Sequence, residues 1–274
     1  MSQSNQVVVV TGMGGMGSAI ARRIGVGATV VVADFDQQLL DAETELLIRS
    51  GYSVVSQLVD VSEKDSVEAL AKVAASSGPV TSVVHTAGLS PVQAPVEAIM
   101  RVDLLGTALM LDSFGAVIAP GGAGVFISSM AGTMTSLDPE LERRLATVPS
   151  DGLMELAELG PGAITDSGAA YGVAKRANQV RVRAASLTWG TRGARVNTIS
   201  PGVISTPMGA AELDGPSGEM MRGMIEASGT GRIGTAEDIA GVAEFLLGRT
   251  ASFITGTDVL VDGGVIAWLR SQGF

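Results

Sequence analysis

The chain has 274 residues, of which 46% are hydrophobic and 17% charged; that suits one large α/β domain able to bury most of its unfolded surface without covalent staples. Its 28 acidic and 18 basic residues leave a net charge of −10, which disfavours nucleic acid and anionic membrane as partners. Cys is absent and His85 is the single histidine, which excludes a disulfide framework, a thiolate centre and a multi-histidine metal site within one chain.

In chain order, Gln6–Thr11 (Q-V-V-V-V-T) predicts a strand covered on both faces, followed by a glycine cluster and a helix from about Ser18 to Ile24. Ala28–Asp34 predicts the second strand, and Asp36–Arg49 a helix with Leu39, Leu40, Leu46 and Leu47 at helical spacing. Ser53–Leu58 is the third strand, and S-E-K-D from Ser62 predicts a capping box opening a helix to Ser77. Val80–Thr86 and Ala123–Ser128 are the fourth and fifth strands, joined by an apolar helix of roughly Pro95–Val117. A helix over Ala169–Trp189, a strand over Arg195–Ile199, a helix over Ala236–Leu247 and a strand over Asp258–Val261 complete the pattern. This alternation predicts a Rossmann-like doubly wound parallel sheet, layered α/β/α, in a single domain spanning 1–274.

Two connections are long. Residues 133–167 contain E-L-E-R-R-L and L-M-E-L-A-E-L and predict two short helices; residues 206–231 are rich in Gly and Met and predict a substrate loop. No apolar run approaches the roughly 20 residues of a membrane span. The opening M-S-Q-S-N-Q lacks a basic and an apolar region, so a soluble cytoplasmic protein is expected.

Thr11–Gly17 reads T-G-M-G-G-M-G, and Gly12, Gly14 and Gly17 spell G-x-G-x-x-G between the first strand and first helix. Glycines there permit a tight turn and let backbone approach a pyrophosphate, which the helix N-terminus attracts. A simple glycine-rich turn is the plainer alternative. Asp34, 22 residues after Gly12, ends the second strand, where a carboxylate accepts ribose hydroxyls. It would repel a 2′-phosphate, and Ala33, Phe35 and Asp36 supply no cation, so NAD is expected over NADP.

Tyr171 and Lys175 stand at i and i+4 on a predicted helix, in a chain with two Tyr and three Lys. That spacing puts both side chains on one face. An ammonium about 5 Å from a phenol, at an effective dielectric of about 20, stabilises phenolate by roughly 3 kcal/mol. This is about two pKa units and would draw the phenol from near 10 toward 8, fit for proton transfer near neutrality. A tyrosine packed beside a lysine is the alternative for an isolated pair.

The pair is not isolated. Over nearly its full length the chain resembles the short-chain dehydrogenase/reductase family. Thr86-Ala87-Gly88 stands where the family has N-A-G, Ser129 (I-S-S-M-A-G) at the catalytic serine, and Tyr171–Lys175 at Y-x-x-x-K. Asn197–Thr206 matches the segment beside the nicotinamide, Gly256–Gly264 the C-terminal signature, and Asp60-Val61 the adenine-contacting pair. The resemblance implies catalytic roles for Ser129, Tyr171 and Lys175. It implies cofactor contacts at Gly12, Gly14, Gly15, Met16, Gly17, Asp34, Phe35, Asp60, Val61, Thr86, Ala87, Gly88, Pro201, Gly202, Ile204 and Thr206, as well as Tyr171 and Lys175. No metal is implied.

Three departures stand out. The glycine turn is one residue shorter than T-G-x-x-x-G-x-G. Asp103 occupies the position where the family often has a catalytic Asn; it can hold water or pair with Lys175. Ser129 and Tyr171 are 42 residues apart because of the segment 133–167, which resembles an insertion in bacterial 3α-hydroxysteroid dehydrogenase/carbonyl reductases; the tail ending in Phe274 is similar to theirs too. Entering at the active-site side, the insertion is expected either to form a lid or to decorate the surface.

Seven methionines, Met130, Met134, Met154, Met208, Met220, Met221 and Met224, fall in segments the resemblance places near the substrate mouth. They suggest an apolar secondary alcohol or ketone, alicyclic or steroid-like, although M-M-x-x-M also suits ordinary helix packing. Val173, Ala177, Val180, Ala184 and Ala185 give the Tyr171 helix further apolar faces, so a homodimer or homotetramer is expected. Two other functions share the motifs: reduction of a 3-oxoacyl thioester, and a non-enzymatic NAD-binding sensor. His85, near the expected adenosine, reads as a packing or cofactor-edge residue.

Overall fold

A computed structural model describes residues 6–160 and 162–273, so Phe274 and the first five residues of the opening lie outside it. Val-rich runs form β1 (Val7–Thr11), β2 (Thr29–Asp34), β3 (Ser53–Leu58) and β4 (Val80–His85). They are joined by α1 (Gly15–Ile24), α2 (Gln37–Arg49) and α3 (Lys64–Ser77). With β5 (Ile118–Ile127), β6 (Arg195–Pro201) and β9 (Asp258–Val261) they make a parallel seven-stranded sheet ordered β3-β2-β1-β4-β5-β6-β9.

Both faces of the sheet are covered, which is why its strands read as unbroken apolar runs. Val7, Val9 and Val31 pack on Val67, Leu70 and Phe114 on one side. Val8, Val10, Val30 and Val32 pack on Ile20, Ile239 and Ala243 on the other. Three further helices are α9 (Ser167–Thr191), α12 (Ala236–Leu247) and α13 (Val265–Ser271). Strand order reverses between β1 and β4, and a crevice opens beyond their C-terminal ends.

Three local expectations are corrected. Ser62 does not cap α3: its hydroxyl donates to Asp60, and Glu63 takes the cap position with no side-chain bond. The expected Pro95–Val117 helix is interrupted: α4 (Val96–Ile99) runs through a π-helical turn (Met100–Gly106) into α5 (Thr107–Val117). There the Asp103 carbonyl accepts from the Thr107 hydroxyl at 2.7 Å and the Asn178 amide at 3.0 Å, bonds from outside the main-chain ladder that apolar periodicity does not register.

The third correction concerns the insertion. After α6 (Met130–Met134), it forms α7 (Pro139–Thr147), α8 (Ser150–Leu153) and a 3₁₀ turn (Ala157–Leu159), so the second expected helix is reduced to short pieces. Leu145, Leu153, Leu156 and Leu159 are buried against Ile99, Leu104, Ala174, Ala177 and Val180. The Arg181 guanidinium donates to the carbonyls of Leu145 at 2.8 Å and Val148 at 2.9 Å. The insertion therefore packs on the outer face of α9. The segment after β6 forms β7 (Ile204–Ser205), α10 (Pro207–Leu213) and α11 (Gly218–Ala227), with β7 paired to β8 (Gly234–Thr235).

Candidate active site

The crevice encloses about 1110 Å³ and is lined by Gly12, Gly14, Gly15, Met16, Asp34, Phe35, Asp60, Val61, Thr86, Ala87, Gly88 and Thr206. Its floor is tightly built. Gly12 has φ +85°, and a side chain on it would strike the Ala87 backbone. Gly17 does not line the crevice; a side chain there would strike the Gly12 carbonyl, so Gly17 lets α1 press against the turn. Gly14 faces open space and is the N-cap of α1, with no side chain bonding the first-turn N–H groups. That unfilled space above exposed donors fits a pyrophosphate.

Asp34 holds the turn and faces the crevice. Oδ2 accepts the Met13 N–H at 2.6 Å and Oδ1 the Asp36 N–H at 2.9 Å, and each carboxylate oxygen keeps a lone pair for a further donor. The sequence reading missed two cations here: Arg22 and Arg101 also line the crevice, but Arg22 is drawn to Glu43 at 3.6 Å and Arg101 is paired with Glu63 at 2.6 Å. Asp36, Glu43 and Asp60 line the same end, so it stays acidic. Thr86 donates to the Gly12 carbonyl at 2.7 Å and ties the T-A-G segment to the glycine turn.

Ser129, Tyr171 and Lys175 come together at the C-terminal end of β5. Ser129 is the N-cap of α6, its Oγ accepting the Ala131 N–H at 3.1 Å, and its hydroxyl lies beside Tyr171 in the lining of the same cavity. Lys175, 5% exposed, puts Nζ 5.4 Å from the Tyr171 ring centre. The expected drop in the phenol's pKa is overturned. Burial pushes the Tyr171 phenol up; Lys175 pulls it down, Asp103 pushes it up, Ser129 lowers it and Glu212 raises it, leaving it above its ordinary value. Distance arithmetic from sequence held the ammonium but neither the desolvation nor the two carboxylates.

Pro201, Gly202, Ile204 and Thr206 line a second cavity of about 300 Å³ that opens onto Ser129 and Tyr171. Of the seven methionines, six line it: Met130, Met134, Met208, Met220, Met221 and Met224. Met154 does not; it packs within the insertion. Met16 joins the lining instead, as does Glu212, a half-buried carboxylate on α10 that sequence patterning did not single out. Among the described residues, the insertion contributes no side chain between Thr135 and Asp166 to this lining, and the cover is α10 and α11. No group of three or more His, Asp or Glu among the described residues is disposed to hold a metal ion.

Comparison with known proteins agrees with this arrangement. A family model described as enoyl-(acyl carrier protein) reductase matches residues 10–140 and 152–266, its gap falling inside the insertion. The chain is 44% identical over 274 residues to the short-chain dehydrogenase/reductase bsc3 of Alternaria brassicicola, covering 98% of each. It is 30% identical over 195 residues to 3-alpha-hydroxysteroid dehydrogenase/carbonyl reductase of Comamonas testosteroni, covering 70% of this chain and 75% of that one. A blue fluorescent protein from a metagenomic library, solved with NADPH, shares the fold at a TM-score of 0.75 and 22% identity, over 97% of this chain and 99% of that one. With that family model over most of the chain, a 44% identical relative over nearly its full length and the same parallel sheet, the chain belongs to the short-chain dehydrogenase/reductase family of oxidoreductases.

Proposed function

We propose that the chain transfers a hydride between NAD(H) and a hydrophobic secondary alcohol or ketone, alicyclic or steroid-like. The observation that carries this reading is that Ser129 and Tyr171 line the methionine-rich cavity, with Lys175 beside the phenol, while Met16, Thr206 and Met208 line both that cavity and the acidic crevice. The Gly12–Gly17 turn would hold the pyrophosphate, Asp34 the adenosine ribose, Phe35, Asp60 and Val61 the adenine, and Thr86–Gly88 with Pro201–Thr206 the nicotinamide half. NAD(H), when bound, supplies the hydride chemistry. The phenol of Tyr171 gives its proton to the substrate oxygen in reduction and regains it in oxidation. The Ser129 hydroxyl donates to that oxygen as negative charge gathers on it. The Lys175 ammonium, 5.4 Å from the Tyr171 ring centre, would hold the nicotinamide ribose, as the family resemblance implies.

NAD is favoured over NADP because a 2′-phosphate beside Asp34 would meet Asp36 and Glu43, with Arg22 already engaged. An apolar substrate is favoured by six methionines around the cavity and by the name of the hydroxysteroid relative. Reduction of an acyl thioester is the second reading, favoured by the description of the matching family model. We also propose a homodimer, because the chain's own insertion covers Ala177 and Val180, part of the α9 face expected to pair between subunits.

The test is nicotinamide absorbance with NAD or NADP against a panel of alicyclic and steroid alcohols, polyols and acyl thioesters. The expected result is turnover of alicyclic or steroid alcohols, with kcat/KM for NAD above that for NADP by tenfold or more, about 1.4 kcal/mol. Turnover confined to polyols or to acyl thioesters contradicts the substrate reading, and a preference for NADP contradicts the role of Asp34.

A further inference from the structure

Asp103 sits in the π-helical turn with its side chain fully buried, and its Oδ2 lies 3.1 Å from Lys175 Nζ. Its Oδ1 accepts the Leu89 N–H at 2.8 Å. The Thr107 hydroxyl and the Asn178 side-chain amide donate to the Asp103 carbonyl and fix the turn that carries it. Gly88 closes over the pair: a β-carbon there would lie 3.1 Å from Lys175 Nζ and 3.2 Å from Asp103 Oδ2. Nζ donates to the Ile127 carbonyl at 3.4 Å. An ammonium this close to a carboxylate acts on its surroundings as a dipole, and a dipole's field falls off faster than a bare charge's.

We propose that Asp103 is a positioning residue: by its buried ion pair it holds Lys175 and offsets the ammonium's field, so that Tyr171 keeps its proton to higher pH than a lone Tyr–Lys pair allows. The consequence for the reaction rests on the oxidoreductase reading above. At neutral pH the phenol is poised as a proton donor for carbonyl reduction, and alcohol oxidation needs more alkaline conditions. The pair changes the pH window of each direction and not the overall equilibrium.

Every titratable group facing the pair is accounted for. Tyr171 and Lys175 come from α9, Asp103 from the π-helical turn, Glu212 from α10 and His85 from β4. His85 is buried and held down to about 3, first by desolvation and then by Lys175, so it is neutral across the working range. Burial pushes the Asp103 carboxyl up while Lys175 pulls it down, and the reciprocal attraction raises Lys175 against its own desolvation. Glu212 acts on Tyr171 in the same sense as Asp103 but more weakly.

The chain's two tyrosines make the test direct. In a Tyr52→Phe background, phenolate ultraviolet absorbance reports Tyr171 alone, without substrate or cofactor, while circular dichroism checks the fold at each pH. Asp103→Asn is expected to lower the Tyr171 midpoint by about one pH unit or more, and Glu212→Gln by less. Asp103→Ser removes the charge by a second route if the amide does not fold, with the same expected direction. Without any change at 103, the background protein is expected to titrate above the ordinary tyrosine value of about 10. Superimposable midpoints with and without the Asp103 charge, or a midpoint that rises when the charge is removed, overturn the proposal. The pH profile of alcohol oxidation separates the two claims. A midpoint that moves while the acidic limb of kcat/KM stays fixed upholds the ion pair's hold on the phenol and removes Tyr171 from proton transfer.

Discussion

Asp34 serves the fold and the site with one carboxylate, since the N–H bonds that pin the glycine turn also aim its free lone pairs into the crevice. Hydrogen bonds to charged groups are worth about 1.5–3 kcal/mol, so Asp34→Ala is expected to weaken NADH binding by roughly tenfold to a hundredfold, read by cofactor fluorescence. It is also expected to narrow the preference over NADPH; unchanged affinity for both contradicts the assignment. His85, whose Nδ1 lies 2.7 Å from the Thr11 hydroxyl, bears on acid stability. Its folded pKa is about 3, below the unfolded value near 6.5, so the unfolded chain binds the extra proton between them. Stability is then lost as pH falls through that window, by up to about 1.4 kcal/mol per unit, and His85→Gln is expected to flatten the slope of Tm between pH 6 and pH 4. An equally steep slope contradicts this. At this scale Tyr171 and Lys175 were legible because two rare residue types stood four apart, the glycines and Asp34 because of their place after the first and second strands, and Ser129 through the family resemblance. Arg22, Glu212 and the Asp103–Lys175 pair were not certain, because each meets its neighbours only through long-range folding.

Elements were legible where one face or both meet the core. β3, α12 and β9 fall on the residues their patterns predict. Caps were harder, because a capping box depends on backbone geometry at one residue: the pattern at Ser62 forms none, while Thr235 and Asp238 form one that opens α12. The Arg232 side chain and the Thr235 backbone and hydroxyl hold the Asp238 carboxyl well below its ordinary value. The stability it adds is present above the unfolded pKa near 3.9 and lost as pH falls through the lower folded value. The insertion was legible as helical and extra, but its place was not, since sequence shows an apolar stripe and not the surface that receives it. Leu145 is fully buried against α9, so Leu145→Ala is expected to cost about 2–5 kcal/mol in chemical denaturation. Activity per folded molecule should stay nearly unchanged, because residues 135–166 do not line the substrate cavity. A collapse of kcat/KM with little loss of stability would restore the lid.

At the scale of the molecule, alternation of strand and helix gave the doubly wound sheet directly, and the reversal between β1 and β4 places the cofactor crevice beside the catalytic cluster. No described helix is long and apolar enough to cross a membrane. Among the described residues several large apolar side chains stay exposed, Leu187 on α9 among them; the most exposed is Phe253, which lies between α12, with its exposed Phe245, and edge strand β9, with its exposed Leu260, in the chain. Sedimentation equilibrium is expected to show a dimer, and Phe253→Asp a monomer; a tetramer, or a dimer indifferent to that change, contradicts this surface. The central claim is that Tyr171 exchanges the substrate's proton within a bound-cofactor site. The direct measurement is kcat/KM of Tyr171→Phe against the native chain on one accepted substrate, with NADH affinity measured alongside. The account predicts a fall of about 10²–10⁴ with affinity nearly unchanged. Retention of activity within a few-fold of native would contradict it.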